Sequence, residues 1–149
     1  MSDLGRFVGA QDAHGTYEAA LAELHAGRKT SHWMWFVFPQ LAGLGRSATA
    51  QHYAIASLDE ARAYLADPVL GPRLHACCAA LLEHAGRPAT AILGGVDAQK
   101  LRSSMTLFAR AAPEDPAFGR VLDAFYAGEA DAATDGLLAS SVKSSGTGG

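Results

Sequence analysis

Two stretches of the chain concentrate the residue types that perform or support chemistry. The first runs Arg28-Lys29-Thr30-Ser31-His32-Trp33-Met34-Trp35-Phe36-Val37-Phe38-Pro39-Gln40. His32 stands where a polar connection meets an apolar run. An imidazole titrates near physiological pH, so it can act there as general acid or base, or equally cap the turn by hydrogen bonding. Trp33 and Trp35 offer flat faces for stacking a base or sugar, and each carries an N–H that needs a partner once buried. Their competing role is to fill a core, the role expected of Phe36, Val37 and Phe38. Gln40 can read an amide or base edge, or hold the loop that follows it. That loop, Gly43-Leu44-Gly45-Arg46-Ser47, resembles a piece of a phosphate loop but lacks the Lys-Ser/Thr ending and has no strand before it. Arg46 and Ser47 can still grip an anion at the start of the next helix, where unpaired amides favour negative charge.

The second stretch is Asp97-Ala98-Gln99-Lys100-Leu101-Arg102-Ser103-Ser104-Met105-Thr106-Leu107-Phe108. At helical spacing Asp97, Lys100 and Ser104 share a face. Exposed, such an ion pair is worth only about 0.2–0.5 kcal/mol; buried, Asp97 and Lys100 must pair with each other or with a ligand. Ser103, Ser104 and Thr106 are mediocre helix formers, placed to hydrogen-bond either between helices or to a ligand.

These residues define a candidate site between the 29–47 segment and the 97–106 helix. His32, Asp97 and Lys100 are its candidate catalytic groups. Lys29, Trp33, Trp35, Gln40, Arg46, Ser47, Ser103 and Ser104 are its candidate ligand contacts. An aromatic wall with basic and hydroxyl groups suits a nucleotide- or nucleoside-like small molecule, with hydrolysis of an N-glycosidic or phosphate bond as the chemistry within that class. The rival reading is a protein-interaction module that presents an exposed aromatic patch and catalyses nothing. A third possibility gives every one of these residues a structural role alone.

Several classes are excluded. Among His14, His25, His32, His52, His75 and His84 there is no two-histidine metalloprotease spacing, and only Cys77-Cys78 can add thiolates, so neither a metal nor another cofactor is expected. The two cysteines are adjacent and poorly placed for a mutual disulfide, which makes them small buried core residues. Nine Arg and three Lys are scattered among 15 acids, with no basic stripe for duplex nucleic acid. No apolar run is long enough for a membrane span, and Met1-Ser2-Asp3-Leu4 has no signal-peptide character, so the cytoplasm is the expected compartment.

The elements that must position the site are helices. The 149 residues include 31 Ala but only six Val and two Ile, the composition of a helical protein. The expectation is an all-α, single-domain bundle over residues 1–139, with about six to eight helices, several of them short. Residues 140–149, rich in Ser and Gly, have the composition of a disordered tail. Local signals place the elements. Asp3 caps a first helix carrying Leu4, Phe7, Val8 and Gln11; Thr16 caps a second that Gly27 ends. Ser57 and Glu60 form a capping box. Asp67-Pro68 and Gly71-Pro72 precede a long helix at about 72–85, and Asp115-Pro116 opens another. Short helical stretches fit 48–53, 88–94 and 132–138.

The segments Ser31-His32-Trp33-Met34-Trp35-Phe36, Phe38-Pro39-Gln40, Gly43-Leu44-Gly45 and Lys100-Leu101-Arg102-Ser103-Ser104-Met105-Thr106-Leu107-Phe108, with Arg6-Phe7-Val8, Gly27-Arg28-Lys29 and Ser57 to Leu65, carry a resemblance. Over roughly residues 4–138 the chain resembles the Domain of Unknown Function 1810 family, bacterial proteins sometimes mislabelled calpastatin. The resemblance implies a compact, mainly helical single domain and supplies no activity. A calpastatin is a disordered protease inhibitor, which this apolar, capped chain is not like.

Overall fold

The computed structural model describes residues 3–147, with side chains described through residue 140. Its helices are α1 (Gly5–Asp12), α2 (Thr16–Ala26), α3 (Met34–Val37), α4 (Ala48–His52), α5 (Leu58–Ala66), α6 (Leu70–Leu82), α7 (Ala89–Leu93), α8 (Gly95–Ala111), α9 (Pro116–Tyr126) and α10 (Ala132–Thr147), with a 3-10 turn at Ala13–Gly15 between α1 and α2. Among the described residues there is no strand, and the one β-bridge joins Leu41 to Ile55. The fold is all-α, as the alanine-rich composition requires. The expected tail at 140–149 falls on the end of α10 and on Gly148 and Gly149, which lie outside the described residues.

The long helix α8 runs through the middle, packed against α5, α7, α9 and α10, while α6 packs on α2, α5 and α9. From α8, Leu101, Met105, Leu107 and Phe108 are fully buried. Alanine buries too little area to fill this centre, so aromatic rings do it. Phe7 meets Tyr64 edge-on at 5.2 Å, Tyr64 meets Phe108 at 5.3 Å and Phe108 meets Phe118 at 5.6 Å. Trp33 packs beside Phe38 at 6.2 Å, and both are sealed from solvent. Cys77 and Cys78 are free and buried, and burial pushes the Cys77 thiol up to about 12, so both are inert core residues.

Local capping explains most element boundaries. Asp115 Oδ1 accepts from Ala117 N at 3.0 Å and Ser57 Oγ from Glu60 N at 3.1 Å. The capping box is shifted at its far end. Glu60 Oε1 accepts from Ala56 N at 2.9 Å, one residue beyond the expected partner, because it also receives Arg6 Nη2 at 3.3 Å. Asp3 does not cap α1: Leu4 occupies that position, and the backbone carbonyl of Asp3 accepts from Arg6 instead. Thr16 is likewise inside α2, capped by Gly15, because its hydroxyl donates to Ala13 O at 2.6 Å. Helix α6 begins at Leu70 rather than near residue 72. Asp67 Oδ1 satisfies the amides of Val69 and Leu70, and Pro72 fits the first turn, where its missing N–H has no partner to lose. Gly27 ends α2 as expected, at φ 76°, and an added Cβ there would lie 2.3 Å from Arg87 Nη1.

Candidate functional site

Helix α3, the 40–50 segment and the first turns of α8 border an open cleft of about 590 Å³. It is lined by Trp35 of α3 and by Gln40, by Leu44, Gly45, Arg46, Ser47 and Ala50 of the loop and α4, and by Val96, Gln99 and Lys100 of α8. The segment reaches this position because Ile55 N donates to Gln40 O and Ala42 N to Ile55 O, both at 2.8 Å, which pins the loop's stem. Gly45 lets the loop fold tightly on α4, since a Cβ there would sit 2.4 Å from the Ala50 methyl. Ser47 caps α4 by accepting from Ala50 N at 3.1 Å, so its lone pair serves the helix while its O–H remains a donor. Gln99 donates to Asp131 Oδ1 at 3.1 Å, which fixes its amide against the start of α10.

The charged groups form a chain leading into this cleft. Lys29 Nζ lies 2.9 Å from Asp97 Oδ2, and Lys100 Nζ lies 3.6 Å from Asp97 Oδ1. The Lys29 side chain is 9% exposed, those of Asp97 and Lys100 19% and 23%, so burial increases from Lys100 inward to Lys29. Each ammonium also sits over an indole, Lys29 at 5.1 Å from the Trp33 ring and Lys100 at 4.7 Å from the Trp35 ring. Lys29 is further held by its backbone, whose N–H donates to Ile92 O at 2.8 Å.

Glu23 on α2 organises the segment that carries these groups. Its Oε1 accepts from Thr30 N at 2.7 Å, Ser31 N at 3.0 Å and Trp33 Nε1 at 3.0 Å, and its Oε2 accepts from Ser31 Oγ at 2.5 Å. Burial alone raises a carboxyl's pKa, but the hydrogen bonds from Ser31, Thr30 and Trp33 outweigh it and bring Glu23 down to about 2.

Some of the sequence-predicted residues meet here and others do not. Trp35, Gln40, Arg46, Ser47 and Lys100 line the cleft; Lys29 and Asp97 stand behind Lys100. Trp33 does not reach it, because its ring is sealed in the core and its N–H is satisfied by Glu23. His32 is exposed, is not among the lining residues, and forms no hydrogen bond or ion pair among the described residues. Ser103 is buried on another face of α8, donating to Gln99 O and Asp131 Oδ2, where it joins α8 to α10. The Ser104 hydroxyl is buried with no hydrogen-bond partner among the described residues.

Sequence reasoning missed Glu23, whose donors lie seven to ten residues further along the chain, beyond any local motif. It also passed over Val96 and Gln99, although Gln99 adjoins Lys100 in a stretch already singled out. A further omission is His75. With Asp115 it borders a second cleft of about 630 Å³, between α5 and the α8–α9 connection. Its Nδ1 contacts Gly71 O at 2.8 Å and its Nε2 contacts Asp115 Oδ2 at 2.5 Å. Burial opposes its charging, but the Asp115 and Gly71 acceptors prevail and raise its pKa. Both ring nitrogens face acceptors, Gly71 O and Asp115 Oδ2, so neither is free to take a proton from a substrate.

The first cleft therefore combines one aromatic surface, two cations and two primary amides, and its lining contains no carboxylate and no imidazole. It can hold a planar, anionic molecule; its nearest acid, Asp97, is occupied by two ammonium groups. Among the described residues no group of three or more His, Cys, Asp or Glu could hold a metal ion, and no helix is long and apolar enough to cross a membrane.

The chain is similar to known proteins over almost its whole length. A crystal structure of the conserved hypothetical protein Rv1873 from Mycobacterium tuberculosis is 51% identical, with a TM-score of 0.88 over 92% of this chain and 96% of that one. No curated protein matches. The family described as Protein of unknown function (DUF1810) matches residues 1–138, which includes every element that builds the cleft, and the chain belongs to that family.

Proposed function

We propose that the cleft binds a small planar anion of the nucleotide type and does so without catalysing its breakdown. The observation that carries this reading is the lining itself: the Trp35 ring and two basic side chains, Arg46 and Lys100, in one concavity whose lining has no carboxylate and no imidazole to pair with Lys100 as acid and base. A base stacks on the indole, and the phosphate pairs with Lys100 and Arg46. Stacking displaces the Lys100 ammonium from the ring face, where it now sits at 4.7 Å, and the ligand's phosphate receives it. The amides of Gln40 and Gln99 supply donors and acceptors for the base edge. A patch-based interaction module fits less well, since Trp33 is internal and Trp35 lies in a concave wall. The cytoplasm, where thiols stay reduced, suits the two free cysteines.

Trp35 fluorescence tests this directly, because Trp33 is sealed and contributes a constant background. Titration with AMP, adenosine and inorganic phosphate should give saturable quenching by AMP, weaker quenching by adenosine, and none by phosphate alone. The AMP response should vanish in Trp35→Phe and weaken with added salt. Absence of a saturable response to AMP, GMP, CMP and UMP at millimolar concentration would overturn the reading.

A further inference from the structure

We propose that Lys29, which does not line the cleft, is a positioning residue that sets the anion affinity of Lys100 through their shared carboxylate. This rests on reading the cleft as an anion site. Asp97 has one negative charge and two ammonium neighbours. Lys29 holds it closely, at 2.9 Å, while Lys100 stands off at 3.6 Å and is the more exposed of the two cations. The three groups together carry one net positive charge, and the geometry delivers it to the cleft side.

Lys29 is built to stay where it is. Its ammonium is enclosed by Asp97 on one side and the Trp33 ring on the other, its N–H is bonded to α7, and Glu23 clamps the residues that follow it. The Lys100 ammonium, standing off from Asp97 at 3.6 Å, lies at the same time over the Trp35 ring at 4.7 Å, from which it can turn to a ligand. Without Lys29, Asp97 has only Lys100 to neutralise it. The pair would close, the net charge of the cluster would fall to zero, and the cleft would lose a cation that is still present in the sequence.

The test is AMP affinity, followed by Trp35 fluorescence, in wild type, Lys29→Met, Asp97→Asn, Lys29→Met with Asp97→Asn, and Lys100→Met. Methionine keeps the bulk of the buried stem, and the double variant leaves no unpaired buried charge, so a folded protein is retained for comparison. Lys29→Met should weaken AMP binding roughly tenfold, the scale of one unit charge acting over several ångströms at a protein surface. Asp97→Asn should bind AMP at least as tightly as wild type. The double variant should return to within about threefold of wild type, since its net charge is restored. Lys100→Met should weaken binding with or without Lys29. If Lys29→Met binds AMP like wild type while Lys100→Met is impaired, the cleft reading stands and the role of Lys29 is refuted. A double variant as weak as Lys29→Met also refutes it, leaving Lys29 a packing role. If wild type itself does not bind AMP, both fail.

Discussion

Removing the carboxylate of Glu23 should destabilise the protein more than its partly exposed position suggests. Four donors converge on it, three on Oε1 and one on Oε2. In Glu23→Ala the Thr30 and Ser31 donors, on exposed residues, can turn to water and recover most of their loss. The Trp33 N–H cannot, because its ring is 0% exposed. An unpaired buried donor costs about 1–3 kcal/mol, and the lost charge-assisted bonds bring the total to roughly 2–4 kcal/mol. For a domain of this size, that lowers the melting temperature by about 5–15 °C. Glu23→Gln keeps an acceptor at Oε1 and should lose about half as much. The pH dependence separates the two effects. Glu23 is lowered from an ordinary value of 4.5 to about 2, so its stabilisation is complete above about pH 4.5 and is lost as pH falls towards 2. The full shift corresponds to about 3 kcal/mol, which solvent screening of this partly exposed group reduces to about 1–2 kcal/mol. Urea unfolding monitored by circular dichroism at pH 7, 4.5 and 3 should show wild type converging on Glu23→Gln as the pH falls. A Glu23→Ala protein within 0.5 kcal/mol of wild type at pH 7, or parallel pH profiles for wild type and Glu23→Gln, would refute this account.

Three further outcomes follow from the same contacts. Gly45→Ala puts a methyl 2.4 Å from the Ala50 methyl, so it should cost about 1–3 kcal/mol and weaken AMP binding, with Ala50→Gly restoring both in calorimetry and fluorescence titration. The raised pKa of His75 means that its stabilisation is complete below its ordinary value of 6.5 and fades as pH rises through the folded value; a glutamine at that position does not titrate, so His75→Gln should flatten the melting temperature between pH 6 and 9. Ser104→Ala removes a buried hydroxyl that has no partner among the described residues, and its melting temperature should equal or exceed that of wild type.

The helices were legible in the sequence wherever a cap and its helix are neighbours in the chain. Ser57, Asp67 and Asp115 each satisfy amides two or three residues ahead, a relation that residue types alone disclose. Asp3 failed as a cap because the helix starts one residue later, with Leu4 in the capping position, and Thr16 because its hydroxyl donates to Ala13 O. At the site the limit was the facing of residues. Trp33 and Trp35 are about 200° apart at helical pitch, so one must face away from the other, but nothing in the sequence says which faces the core. The Trp33 N–H decided it by meeting Glu23 on another helix. Ser103 and Ser104 posed the same problem on α8, and Asp131 took Ser103 for the α8–α10 junction. The Lys29–Asp97 pair joins segments far apart in the chain, where charge alone did not specify a partner.

The cleft itself has a compositional cause. Helices rich in alanine leave a centre that large rings must fill, and Trp33, Phe38, Phe7, Tyr64, Phe108 and Phe118 are all spent there. Around the cleft, apart from Leu44 and Arg46, the loop and α4 contribute small residues, Gly45, Ser47 and Ala50, and Gly94 and Gly95 precede Val96 on the α8 side of the lining. Trp35 is thus a large ring with no aromatic partner among the lining residues, and Val96, 73% exposed, is apolar surface that the fold leaves uncovered. Ala50 already abuts Gly45, and a larger side chain there would press on that loop or occupy the space shared with Trp35 and Lys100. A sequence that fills its core with aromatics while keeping this one wall small retains a cavity at some cost in stability, which is the arrangement expected where a ligand completes the packing.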